Sequence, residues 1–255
     1  RQLGNGKMLA KLTKKTVIYN FRQNDLKNGG HGAPLTPIFH KLIKKKFKFK
    51  EVTFVNIGGI VNITTLSKNN SMSGTDIGPG MCLIDRWIRQ KSKKNYDNNG
   101  SIAKSGKVNK LILNRLLENF YKKENALSNS IIQSFDTKYF DFSFVKNLSL
   151  KDGAATLTEF TAQLIISALK SSNRSKEKII LCGGGRKNNF LVKKLKKENR
   201  AIKLIDGYGV DGDFVESQAF AYLAIRSFLN KYISFPETTG VKNPCLGGVI
   251  YKIKL

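Results

Sequence analysis

The chain has little of what marks a disulfide scaffold, a metal centre or a membrane protein. Its three cysteines, Cys82, Cys182 and Cys245, lie far apart, are odd in number and form no C-x-x-C pair, which argues against a disulfide framework or a zinc site. The two histidines, His31 and His40, have no carboxylate or cysteine at ligand spacing, so core or surface roles are expected and no metal-ligating residue is assigned. No apolar run approaches membrane-spanning length, and residues 1–16 lack both a signal peptide's apolar stretch and an anchor. The expectation is a cytoplasmic protein with no membrane partner.

Acidic residues are also scarce. Eighteen Asp and Glu stand against 45 Lys and Arg, a formal net charge of +27. Such an excess attracts nucleic acid by counterion release, which keeps a basic nucleic-acid-binding protein as the alternative reading. The lysines are nevertheless scattered, asparagine is abundant beside them, and glycine-rich stretches separate the basic runs, so nucleic acid is not the expected partner. The run from Lys44 to Lys50 alternates lysine with phenylalanine and predicts an edge strand with one solvated face. The run from Lys193 to Lys197 reads as the solvated face of a helix.

What the chain does have is 255 residues, 40% of them hydrophobic, enough for one large domain or two modest ones. Val55-Asn56-Ile57-Gly58-Gly59-Ile60-Val61-Asn62 reads as two β-branched strands joined by a Gly-Gly turn with an asparagine on either side. Backbone N–H groups at Gly58 and Gly59 can approach an anion closely, so the hairpin is a candidate phosphate cradle as well as a plain turn. Gly74 to Gly80 reads as a glycine-rich loop carrying Asp76. The helix expected after it, with apolar residues at 83, 84, 87 and 88, would direct free N–H groups into that loop. Lys178 to Cys182 predicts a buried strand ending at Gly183-Gly184-Gly185, with Asn188 or Asn189 capping the next helix. The spacing does not fit G-x-G-x-x-G.

Elsewhere, residues 6–12 and 108–120 predict helices, as do the stretches from Ala154 (with Asp152 as N-cap) and from Glu216. Residues 16–21 predict a strand leading into a polar loop that holds Arg22, Asp25, Gly29, Gly30 and Gly32, with a helix starting at Pro34. Strands alternating with helices, with hairpins among them, indicate an α/β fold with a mixed sheet.

Taken as a set, Phe21-Arg22-x-x-Asp25, Gly29-Gly30-x-Gly32-Ala33-Pro34-Leu35, Asn56-Ile57-Gly58-Gly59, Asp76-x-Gly78-Pro79-Gly80, Cys182-Gly183-Gly184-Gly185 and Thr239-Gly240 resemble the anhydro-N-acetylmuramic acid kinase family. That family belongs to the actin, Hsp70 and sugar kinase superfamily, and its motifs run here in order along essentially the whole chain. The resemblance implies an actin-like ATPase (ribonuclease H-like) lobe, a mixed sheet flanked by helices. Residues 1–24 would be a remnant of an N-terminal lobe and hinge, and 25–255 the C-terminal lobe of a two-lobed kinase.

The implied reaction, in peptidoglycan recycling and amino-sugar metabolism, opens the 1,6-anhydro ring of the sugar with water. It phosphorylates the freed oxygen from ATP with Mg²⁺, giving N-acetylmuramate 6-phosphate. By motif, Asp76 would be the catalytic carboxylate; Asn56, Gly58, Gly59, Asn62, Gly183, Gly184 and Gly185 would bind ATP; and Arg22, Asp25, Gly32, Gly78 and Gly80 would bind the sugar. Homodimers are also implied. The chain departs from the family pattern at Asn20, Met81 and Ile131-Ile132-Gln133, and it begins beyond the family's first phosphate hairpin. The expectation is therefore a fragment that is inactive alone, with a degenerate, non-catalytic family member as a further alternative.

Overall fold

The computed structural model describes residues 4–128, 135–171 and 178–253. The described residues fall into two compact units, one within the bounds 1–50, 66–74 and 214–255, the other within 51–65 and 75–213.

The second unit holds most of a mixed sheet of β2 (Val52–Ile57), β3 (Ile60–Leu66), β4 (Met72–Pro79), β5 (Lys178–Cys182) and β6 (Ile202–Leu204), in the order β4-β3-β2-β5-β6. A two-residue connection leaves β3 no option but to run antiparallel to β2. The long return through helices lets β5 pair parallel to β2, with Asn56 opposite Cys182, and β6 pairs parallel to β5. Antiparallel neighbours on one side of the first strand and parallel ones on the other are the arrangement expected for a ribonuclease H-like lobe. Val52, Phe54, Val55 and Ile57 of β2 are all fully buried, as a central strand covered on both faces requires.

Two helices, α7 (Leu150–Ser171) and α8 (Asn189–Glu198), bring Ala162, Ile165, Leu169, Leu191 and Leu195 onto Val55, Ile57, Ile63, Ile179 and Leu181 of the sheet. A second core joins α7 to α4 (Cys82–Lys91), α5 (Ser101–Lys104) and α6 (Lys110–Ser128) around Trp87, whose indole N–H donates to the Leu150 carbonyl at 3.0 Å. Gly153 of α7 lies against the Trp87 ring, where a Cβ would collide.

In the first unit, β1 (Val17–Tyr19) pairs antiparallel with β7 (Val249–Tyr251). Around this pair lie α1 (Gly6–Thr13), α2 (Gln23–Lys27), α3 (Pro37–Lys46), α9 (Val215–Phe228) and the single turn α10 (Pro236–Thr239).

The sequence reading is corrected in several places. Asp76 sits on β4 and not in a loop, because Gly74 and Gly78 are accommodated within the strand. The alternating run from Lys44 is no edge strand: Pro37 starts α3 three residues later than Pro34 would, and Ile38, Phe39 and Ile43 then carry helical periodicity through Lys46. Lys44 is buried, and its ammonium donates to the Ser67 carbonyl (2.7 Å) and to Asn70 Oδ1 (3.1 Å). Part of the loop expected after residue 21 is α2, which carries Asp25. Residues 129–134, with the Ile131-Ile132-Gln133 departure, lie outside the described residues.

Asp152 does not cap α7 either. It lies inside the first turn, and its own N–H donates to Ser149 Oγ at 3.1 Å, so Ser149 is the cap. Ser149→Ala should cost about 1 kcal/mol and lower the melting temperature by about 2–4 °C in a thermal scan.

Candidate functional site

The carboxyl ends of β2 and β5 meet at one edge of the sheet, and each stops in glycine. Between β2 and β3, the Gly58 N–H closes the turn on the Ile60 carbonyl (3.2 Å). The turn's own carbonyls are engaged by the start of α4: Met81 N donates to Gly58 O (2.9 Å), and Gly80 N and Cys82 N donate to Gly59 O (2.9 and 3.2 Å). The N–H groups expected to be free at this helix start therefore anchor the hairpin. These bonds are main-chain, so the methionine at position 81 leaves them intact. Gly80 has to be glycine, since a Cβ there would collide with the Gly58 carbonyl.

At the end of β5, Gly183 takes φ +77°, and a Cβ would press on Asn56 Oδ1 (2.5 Å) and the Ile57 carbonyl (2.7 Å). Gly185 lies against the Ile57 side chain in the same way, whereas Gly184 faces open space. Glycine here lets the two strand ends close on one another. A cleft of about 500 Å³ results, with Gly58 and Gly59 on one wall and Gly184 and Gly185 on another.

The loop beyond β5 is held by a charge network. Arg186, 4% exposed, donates through Nε (2.8 Å) and Nη2 (2.9 Å) to both oxygens of Asp206, and through Nη1 to Asp213 (3.0 Å) and the Gly183 carbonyl (3.1 Å). The Arg186 guanidinium holds the Asp206 carboxyl below its ordinary range, and Lys187 followed by Arg186 does the same for Asp213. Asn188 caps α8, its Oδ1 accepting from Leu191 N at 3.0 Å, which decides between the two asparagines.

Inside the cleft stands Asp85, three residues into α4. Burial, partly offset by Arg89 and reinforced by Asp97, pushes its carboxyl up to about 6. Its Oδ1 is buried and has no hydrogen-bond partner among the described residues. Asp97, also on the cleft wall, is fully engaged, accepting from Ile102 N (2.8 Å) and Ala103 N (2.9 Å).

Asp76 does not line this cleft. It is half-buried, and its Oδ2 accepts from the Phe135 N–H at 3.0 Å. Downstream on the same strand, Gly78 (φ +150°) packs against Phe120 and Leu164, and the Thr161 hydroxyl of α7 bonds the Pro79 and Gly80 carbonyls (3.2 and 3.0 Å). Gly78 and Gly80 are thus close-packing positions in this structure. Asn62, on β3, has a buried Oδ1 with no partner among the described residues, and it too lies outside the cleft lining.

In the first unit, Arg22, Asp25 and Gly32 come together. Asp25 is 1% exposed; its Oδ1 accepts from Gly32 N (3.2 Å), while an Arg22 Nη1–H donates to the Gly32 carbonyl. Gly30 fits beside the Asp25 carboxylate only for want of a Cβ, and His31 N donates to the Thr239 carbonyl at 2.8 Å.

Sequence reasoning missed Asp85 and the Arg186 network. A signal for Asp85 was present, an acid in the first turn of the helix that follows the glycine-rich stretch. Arg186 directly follows the glycine triplet, but its two aspartates lie 20 and 27 residues away, and no spacing rule connects them.

Among the described residues, no helix is long and apolar enough to cross a membrane, and the three cysteines are free thiols. The family model described as anhydro-N-acetylmuramic acid kinase matches residues 1–253. A protein of that name from Pelagibacter ubique is 52% identical over 262 residues, covering 99% of this chain and 69% of the relative. Its counterpart from Zymomonas mobilis is 38% identical, covering 99% and 68%. Among solved structures, the activator of the 2-hydroxyisocaproyl-CoA dehydratase from Clostridium difficile, with bound ADPNP, aligns at 16% identity and a TM-score of 0.43, covering 66% of this chain and 57% of that one. These matches show the family; they show neither a missing N-terminal part nor inactivity of this chain.

Proposed function

From the premise that this chain belongs to the anhydro-N-acetylmuramic acid kinase family, we propose that it opens 1,6-anhydro-N-acetylmuramic acid with water and transfers the γ-phosphoryl group of ATP to the freed 6-oxygen. The observation that carries this reading is the convergence of two glycine turns, Gly58-Gly59 and Gly183-Gly184-Gly185, at one cleft at the carboxyl edge of the sheet, the position where α/β sheets bind nucleotides. Phosphates would lie toward Gly58 and Gly59, and the flat base toward Gly184, where no side chain intrudes. Asn56, fixed opposite Cys182 and against Gly183, would hold the two turns in register.

Asp76 would act as general base on the water that attacks the anomeric carbon, its Oδ2 oriented by the Phe135 N–H. Arg22, Asp25 and Gly32, bonded to one another in the first unit, would serve the sugar. Among the described residues no group of three or more His, Cys, Asp or Glu is arranged to cage a metal ion. Mg²⁺ would therefore enter with the phosphates, which suits an ion that keeps most of its ligands from water and substrate, and would neutralise their charge.

The test is incubation of the chain with ATP, Mg²⁺ and the anhydro sugar in ¹⁸O-labelled water, read by mass spectrometry. N-acetylmuramate 6-phosphate carrying one solvent oxygen is the expected product. ATP hydrolysis without sugar phosphate, or a phosphorylated sugar with its anhydro ring intact, would overturn the reading. ATP binding without turnover would point to the degenerate, non-catalytic alternative.

A further inference from the structure

We infer that Asp85 is the ribose-recognising residue of the cleft, accepting hydrogen bonds from the vicinal 2′ and 3′ hydroxyls of the nucleotide; the inference rests on the nucleotide reading of that cleft. Asp85 Oδ1 is buried without a partner among the described residues, in a cavity that a nucleotide would fill. A buried carboxylate oxygen left unmatched is costly, and a ligand that brings donors removes the cost. Of a nucleotide's parts, the phosphates offer only acceptors and negative charge, so the carboxylate has to face some other part.

Position along α4 indicates which. Cys82 N donates to the Gly59 carbonyl at the phosphate end of the cleft (3.2 Å). Asp85 lies three residues further on, about 4.5 Å along the helix axis. One step from the phosphates is where a nucleotide carries its sugar, and the glycine wall at Gly184 is left for the base. Acidic side chains take vicinal ribose hydroxyls in other nucleotide folds for the same reason, a bidentate acceptor matched to two neighbouring donors. Arg89, one turn later, is occupied by the Asn95 carbonyl through Nη1 (3.2 Å), an arrangement that orders the wall beside Asp85.

The test is calorimetric titration of the full chain, wild type, Asp85→Asn and Asp85→Ala, with ATP, 2′-deoxyATP and 3′-deoxyATP, each with Mg²⁺ and with a chelator. Wild type is expected to bind ATP about tenfold more tightly than at least one deoxynucleotide; Asp85→Ala should lose about tenfold for ATP and stop discriminating, while Asp85→Asn, which keeps one acceptor, should lose less. Equal wild-type affinity for all three nucleotides would overturn the assignment without touching the nucleotide cleft. So would a loss in the variants that appears only with Mg²⁺, which would make Asp85 a metal ligand. No binding of any nucleotide by wild type would instead remove the cleft reading itself. The wild-type comparison needs no variant to fold, and melting curves qualify the two variants.

Discussion

Asp76→Asn is expected to lower kcat for sugar phosphorylation by between about 10² and 10⁴, with ATP affinity and melting temperature close to wild type. Asparagine keeps a side-chain oxygen that can accept from the Phe135 N–H, so the local bond holding the side chain survives the change. What it cannot do is take a proton from water, and a carboxylate beside an anomeric centre also stabilises the positive charge that develops there. Because Asp76 does not line the cleft proposed for the nucleotide, its loss should appear in kcat and not in the dissociation constant for ATP. A variant that retains more than a tenth of wild-type kcat would show that Asp76 is not the base. A variant that loses ATP binding as well would place Asp76 at the phosphates and make the two sites one.

Much of this arrangement was legible in the sequence, because the signals concerned are local. The Gly-Gly hairpin follows from β-branched residues on either side of two glycines, and the buried strand before Gly183 from its unbroken apolar run. What was not legible depended on residues distant in sequence. Lys44 reads as a solvated edge lysine until Ser67 and Asn70 supply acceptors for its ammonium. The start of α4 reads as a bank of free N–H groups until the hairpin carbonyls are found against it. The resemblance assigns Gly78 and Gly80 to the sugar, and the sequence could not show that Phe120, Leu164 and the Gly58 carbonyl also stand where a side chain at each would go. A glycine motif in sequence states where backbone must approach something closely; whether that is a ligand or the protein itself is decided by tertiary packing.

Arg186→Met should lower stability by about 2–3 kcal/mol and weaken nucleotide binding through the Gly183-Gly184-Gly185 loop. The guanidinium is 4% exposed, so the methionine fills much of its volume, and the losses come from polar groups left behind. The Gly183 carbonyl loses a donor, and Asp206 loses both halves of a bidentate pair. Both aspartates are partly open to water, at 43% and 45% side-chain exposure, which holds the cost below that of a fully buried broken pair. The pH dependence separates this network from simple packing. Asp206 titrates below its ordinary 3.8 in the folded chain, chiefly through Arg186. The stabilisation is therefore fully present above that ordinary value and is lost as pH falls through the depressed one. Denaturant titrations should give a wild-type advantage over Arg186→Met that is constant above about pH 5 and shrinks below about pH 4. An advantage that stays the same down to pH 2 would mean that Arg186 holds the loop through its bond to the Gly183 carbonyl and not by pairing with its aspartates.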